Sequence, residues 1–290
     1  MTTASEWVQG ARPRTLLAAV APVLAGTGVA AYADAAVWWK AVLALVVSLA
    51  LQVAVNYAND YSDGVRGTDD VRVGPMRLVG SRRASPDAVK RAAFLAFGVA
   101  GAAGVTLAAT TAWWLVAIGA LSVLAAWYYT GGATPYGYLG LGEVMVFVFF
   151  GLVAVIGTTY VQVEAWSGPA LYAGIGIGAL ACAILVVNNL RDIPTDTVAG
   201  KLTLAVRLGD TRTRRLYLVL VVAAAACVLL VAASTTWWAV VGLGFLVPAL
   251  PGLRTVLGGA TGVGLIPVLQ QTGLAELVWA ALVAGALVLA

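Results

Sequence analysis

Residues 41–77 read AVLALVVSLALQVAVNYANDYSDGVRGTDDVRVGPMR, an apolar run that ends in four aspartates. With its flanks the run is long enough to cross a bilayer, so the acids fall where a membrane helix would emerge. Asn56, Asn59, Asp60 and Asp63 stand at i, i+3, i+4 and i+7 and share one face if the helix continues through them. Carboxylates and carboxamides on one face at a membrane boundary make an oxygen-rich site suited to a hard cation, above all Mg²⁺ carrying phosphate ligands. A solvated loop behind a helix cap would use the same residues.

A second stretch, NNLRDIPTDTVAGK at residues 188–201, repeats the arrangement at the end of another apolar run. Asn188, Asp192 and Asp196 lie on one helical stripe, with Asn189 and Arg191 beside them and Lys201 just beyond. Two such clusters point to opposing walls of one site.

Composition sets the class. A chain of 290 residues with 61% hydrophobic and 10% charged residues is an all-α, polytopic membrane protein with one intramembrane domain over residues 1–290. Its mean hydropathy of +0.94 excludes an ordinary soluble enzyme. The absence of histidine removes imidazole bases and imidazole metal sites. Cys182 and Cys227 each sit inside an apolar run without CxxC spacing and read as small packing residues.

Nine spans are expected, at about 15–33, 37–58, 88–110, 112–130, 141–162, 169–190, 215–233, 236–253 and 273–290. Arg12 and Arg14 ahead of an apolar run closing in Ala31-Tyr32-Ala33 mimic a signal peptide, but the later spans make this the first membrane helix, with no cleavage expected. With the amino terminus inside, sixteen of the seventeen Lys and Arg fall in cytoplasmic segments and only Lys40 lies outside. The net charge of +4 therefore reflects topology, with no nucleic-acid partner expected. Both acidic clusters then open on the cytoplasmic face of a cell-membrane protein whose remaining partners are lipids. The sequence leaves the oligomeric state open.

Trp38, Trp39, Trp113, Trp114, Trp237 and Trp238 mark the external boundaries as an aromatic belt. Gly174-Ile-Gly176-Ile-Gly178 reads as close helix packing, because no strand precedes it. The segment AWYYTGGATPYGYLGLGE, residues 126–143, is richer than a turn needs: it carries Tyr128, Tyr129, Tyr136 and Tyr138, and closes on Glu143, an acid costly at the start of an apolar run unless it meets a cavity or a partner. The basic run Arg212, Arg214 and Arg215 is expected to anchor a span at anionic lipid.

Two acid clusters, several cations, aromatic rings and a lipid-facing bundle suit an allylic diphosphate ester bound through Mg²⁺, whose cation needs a dry pocket and π-faces. The segments at 11–16 (ARPRTL), 59–77, 128–143 and 188–209 resemble the UbiA superfamily of intramembrane prenyltransferases, most closely its menaquinone branch. The resemblance implies nine helices around a central cavity opening to the cytoplasm. It also implies transfer of a polyprenyl group from polyprenyl diphosphate to 1,4-dihydroxy-2-naphthoate with loss of CO₂ and pyrophosphate. The superfamily motif NDxxDxxxD is met by Asn59, Asp60 and Asp63; its last place is Gly67 here, and the acid stands at Asp69, followed by Asp70.

Asp60, Asp63, Asp69, Asp192 and Asp196 are the candidate Mg²⁺ ligands. Arg72, Arg77, Arg191 and Lys201 are candidates for the diphosphate, Lys201 alternatively for the naphthoate carboxylate. Asn56, Asn59, Tyr128, Tyr129, Glu143, Asn188 and Asn189 complete the expected substrate site. Alternatives are another aromatic acid, such as homogentisate or 4-hydroxybenzoate, and, from a different class, an ion-coupled transporter.

Overall fold

A computed structural model describes residues 2–67 and 76–290. The described residues are all-helical outside turns. A short helix α1 (Ala4–Gly10) opens on a capping box in which Thr3 and Glu6 satisfy each other's backbone N–H. It leads through a 3₁₀ turn, Pro13–Thr15, into α2 (Leu17–Tyr32). Then follow α3 (Trp38–Arg66), α4 (Pro86–Ala109) and α5 (Leu115–Tyr128). The next membrane helix is composite: α6 (Gly142–Val146), a π-helical stretch Phe147–Val153 and α7 (Ala154–Val163). The chain closes with α8 (Gly168–Val198), α9 (Leu204–Ser234), α10 (Leu246–Leu257) and α11 (Ile266–Val288).

Among the described residues seven helical spans are long and apolar enough to cross a membrane, or eight if the bent pair Ala4–Thr15 with Leu17–Tyr32 is one span. The expected span at 112–130 corresponds to α5, an apolar helix of only 14 residues. It stops early because the glycine-rich chain after Tyr129 turns back, where Gly137 N–H bonds the Tyr129 carbonyl at 3.1 Å. Exposed Trp38, Trp113, Trp114, Trp237 and Trp238 lie at or just before helix starts, at the opposite end of α3 from its aspartates.

Lipid is as apolar as the helices, so association here depends on close packing rather than on the hydrophobic effect. A Cβ added at Gly28 of α2 would stand 2.5 Å from Ala284 Cα of α11, and one at Gly151 would stand 2.6 Å from Gly178 Cα of α8. The glycine triplet is thus a packing face: Gly178 meets Gly151 and Phe147, and Gly176 meets the Trp279 ring. Both cysteines are free and buried. At the tryptophan end Lys40, only 5% exposed, bonds Thr111 Oγ1 at 3.0 Å and Glu164 Oε1 at 2.9 Å, tying α3, α4 and α7 together.

The expected lipid anchor at Arg212–Arg215 needs a correction at its centre. Arg214 is buried, forks onto the Asp210 carboxylate at 2.7 Å and bonds the Ala260 carbonyl at 2.9 Å. It clamps the start of α9 to the turn after α10.

Gly28→Leu should lower stability by roughly 1–3 kcal/mol by overpacking the α2–α11 contact. Gly98→Leu, where an added Cβ meets nothing within 4 Å, should leave it unchanged. Thermal loss of the monodisperse peak in detergent size exclusion reads both, and equal midpoints would refute the close-packing account.

Candidate active site

A cavity of about 1030 Å³ runs along the inside of the bundle, lined by α3 from Ala44 to Asp63. Those twenty residues span roughly 28 Å of helix, close to the thickness of a bilayer's hydrocarbon core. Its two ends differ. Gln9, Arg12, Arg14, Arg77, Arg191 and Lys201 line one end with the carboxamides of Asn56, Asn59 and Asn188. Val23, Ala44, Leu107, Leu115 and Val161 line the other.

From Asn56 to Asp63 the first cluster is helical, because α3 continues to Arg66 before Gly67 ends it with φ 73°. Asn56, Asn59 and Asp63 then fall within a narrow stripe that faces the cavity. Asn56 donates to the Ala11 carbonyl at 2.8 Å and to Thr15 Oγ1 at 3.0 Å, which holds the ARPRTL segment against α3. Asn59 Oδ1 accepts from Thr130 at 2.8 Å.

Asp60 sits on the flank of that stripe, 1% exposed, and turns elsewhere. Its carboxylate accepts the Leu78 N–H at 2.7 Å and the Val79 N–H at 3.0 Å. Both oxygens thus fasten the chain where it returns after residue 75. Asp69, Asp70 and Arg72 lie outside the described residues.

The second cluster is carried by the last turns of α8. Arg191 forks onto its neighbour Asp192 with two bonds of 2.7 Å and donates to Asn188 Oδ1 at 2.9 Å. Asp196 lies 3.9 Å from Lys201 Nζ. These are charge pairs at low exposure, where an unpaired ion would be costly.

Tyr138 joins the two walls. Its hydroxyl donates to Asp63 Oδ1 at 2.9 Å, and its ring lies 5.0 Å from Lys201 Nζ and 5.6 Å from the Arg66 guanidinium. A path of contacts therefore runs from Asp63 through Tyr138 and Lys201 to Asp196, and Arg77 completes the mouth 3.7 Å from Asp63 Oδ2. In the sequence Tyr138 is only one of four tyrosines in the 126–143 segment, and its spacing does not reveal this role. Arg12 and Arg14 were read only as topology signals, although the αL turn at Arg12, φ 54°, brings this segment to the cavity wall.

The other tyrosines divide. Tyr129 and Tyr136 line the cavity, whereas Tyr128 is 50% exposed and is not among its described lining residues. Burial pushes the Tyr136 phenol up, so it stays a neutral donor to the Ala125 carbonyl at 2.7 Å. Glu143 stands behind the wall: its Oε1 accepts from Asn189 Nδ2 at 2.9 Å, and Asn189 faces the cavity. The π-helical stretch brings the adjacent rings of Phe149 and Phe150 to the lining together.

Could these residues hold Mg²⁺? Among the described residues no three acids form a protein-only cage. Mg²⁺ does not need one, since it is commonly held by one or two carboxylates with the substrate's phosphates. Hard oxygens from Asp63, Asn59, Asp192 and Asp196, backed by cations for the phosphates, fit that pattern.

The sequence profile of the UbiA prenyltransferase family matches residues 19–257. The chain is 56% identical over 287 residues to the 1,4-dihydroxy-2-naphthoate octaprenyltransferase of Mycobacterium tuberculosis, covering 99% of this chain and 98% of that protein. It is 37% identical over 228 residues to the Escherichia coli enzyme of the same name, covering 74% and 72%. Among solved structures, a UbiA homolog from Archaeoglobus fulgidus bound to GPP and Mg²⁺ superposes with a TM-score of 0.69 over 98% of this chain and 99% of that one, at 14% identity. The apo UbiA homolog from Aeropyrum pernix gives 0.72 over 94% and 97%, at 15% identity. At such identities the structures speak for the fold alone.

Asp60→Ala should free the Leu78 and Val79 amides at a cost of about 1–3 kcal/mol to that turn. Hydrogen–deuterium exchange over residues 78–84 should rise several-fold with the rest of the bundle unchanged; unaltered protection would refute the anchoring role.

Proposed function

Because this chain belongs to the UbiA prenyltransferase family, we propose that it transfers a polyprenyl group from polyprenyl diphosphate to 1,4-dihydroxy-2-naphthoate, releasing CO₂ and pyrophosphate and giving the hydroquinone demethylmenaquinol, which a separate two-electron oxidation converts to demethylmenaquinone. The observation that carries the reading is the cavity itself, ionic at one end and lined by uncharged, mostly apolar side chains over the rest of a bilayer-long path. Only an amphipathic substrate with a compact charged head and a long hydrocarbon tail uses both parts. The named relatives supply the acceptor.

In this reading nine helices cross the cell membrane, counting the bent first span and short α5, and the ionic mouth opens to the cytoplasm, where sixteen of seventeen cations would lie. Asp63 on one wall and Asp192 and Asp196 on the other hold Mg²⁺, with Asp69 as a further candidate. When bound, the ion neutralises the diphosphate and makes it a better leaving group.

Arg77, Arg191 and Lys201 bind the phosphate oxygens, exchanging their aspartate partners for substrate. Arg12 and Arg14 extend the same basic surface. The tail lies along α3, and the Tyr129, Tyr136, Phe149 and Phe150 rings shield the allylic cation from water. The activated ring carbon attacks that cation, and CO₂ leaves from the same carbon. Re-aromatisation follows decarboxylation, so no strong base is needed.

Incubating reconstituted protein with radiolabelled geranylgeranyl diphosphate and a panel of aromatic acids tests the acceptor. Product should form with dihydroxynaphthoate and not with homogentisate or 4-hydroxybenzoate, and chelation by EDTA should abolish it. Asp63→Asn and Asp196→Asn should each lower kcat/KM by about 100-fold or more. Wild-type turnover in both variants would sink the carboxylate assignment.

A further inference from the structure

Glu276 lies inside α11, 0% exposed, and neither of its carboxylate oxygens has a hydrogen-bond partner among the described residues. Leaving a buried polar group unmatched is costly, more so in a membrane helix whose surroundings offer no water. Nothing in the diphosphate machinery uses this residue. Its position along the helix is informative. Ile266, Leu269, Gln270 and Gly273 of α11 line the cavity. They stand at i, i+3, i+4 and i+7, and Glu276 at i+10 continues the stripe one turn deeper.

Space is left one turn before it. Gly273 has no side chain, and a Cβ built there would meet nothing closer than Ile184 Cδ1 at 3.9 Å. On α8, Cys182 donates to the Glu143 carbonyl at 3.0 Å. Glu143 in turn holds Asn189 at the cavity wall.

We infer that Glu276 recognises the aromatic acceptor by accepting a hydrogen bond from a ring hydroxyl held against the Gly273 gap; this rests on the acceptor reading given above. Of the two substrates only the acceptor can supply such a hydrogen. A diphosphate is an anionic acceptor that a carboxyl would repel, and a polyprenyl tail has no polar hydrogen. In 1,4-dihydroxy-2-naphthoate the 1-hydroxyl is satisfied by the adjacent carboxylate, which the basic mouth attracts. The 4-hydroxyl, across the ring, is the group free to reach inward.

The test compares two ligands and two proteins in vesicles of phosphatidylglycerol and phosphatidylethanolamine with Mg²⁺ and geranylgeranyl diphosphate. In the wild type, 1-hydroxy-2-naphthoate, which lacks the 4-hydroxyl, should inhibit competitively with a Ki about tenfold above the KM of the dihydroxy acid. Glu276→Leu should raise that KM about tenfold, leave the donor KM within about twofold and leave the Ki unchanged. A variant that moves KM and Ki alike, or raises the donor KM in parallel, overturns the assignment in favour of a packing role.

Should the variant fail to fold, the wild type alone decides. The dihydroxy acid must raise its melting temperature more than the monohydroxy acid does, and equal shifts overturn the inference. If the wild type prenylates another acid but never dihydroxynaphthoate, the functional reading fails separately.

Discussion

The constraint on which the structure turns is that ions brought into a membrane bundle must be matched. At the cavity mouth each wall carries its own pairs: Asp63 with Arg77 and the Tyr138 hydroxyl, Asp192 with Arg191, and Asp196 with Lys201. Losing one partner would leave a buried charge uncompensated, a penalty of several kcal/mol. The same pairs make the mouth receptive to a metal diphosphate, because the ligand brings both signs. Its anionic oxygens can take over the cations while its metal takes over the carboxylates, so charge is exchanged rather than exposed.

Around this mouth the bundle solves a separate problem. A cavity that follows α3 for most of its length removes contacts which helices in lipid need. Packing elsewhere is correspondingly tight, with Gly28 against Ala284, Gly26 against Val155, and Gly151 against Gly178. The π-helical stretch belongs to both tasks, since Gly151 seats it on α8 while Phe149 and Phe150 turn to the cavity. Lys40, itself buried, closes the opposite end by bonding Thr111 and the exposed Glu164.

Much of the site was legible because its signals are local. The spacing of Asn56, Asn59 and Asp63 predicts a shared face, and α3 supplies it by remaining helical to Arg66. Asp60 has the same spacing, and its carboxylate bonds Leu78 and Val79, because its competing partner lies eighteen residues away and no period records that. Tyr138 is the converse: nothing in its neighbourhood distinguishes it from Tyr128 until the loop folds over Asp63 and Lys201.

By itself the sequence determined the class, the positions of the apolar helices and the end of the bundle at which the acids gather. These follow from composition and from periodicities within single helices, where neighbours in space are neighbours in the chain. Only the tertiary structure decided which polar groups are already spoken for and which are left over. It bound Asp60 to a returning turn, gave Arg214 to Asp210 and the Ala260 carbonyl, set Glu143 behind Asn189, and left Glu276 without a partner among the described residues. Hydrogen bonds are short and directional, so their allocation depends on which segments meet, and that is set by the packing of helices distant in sequence.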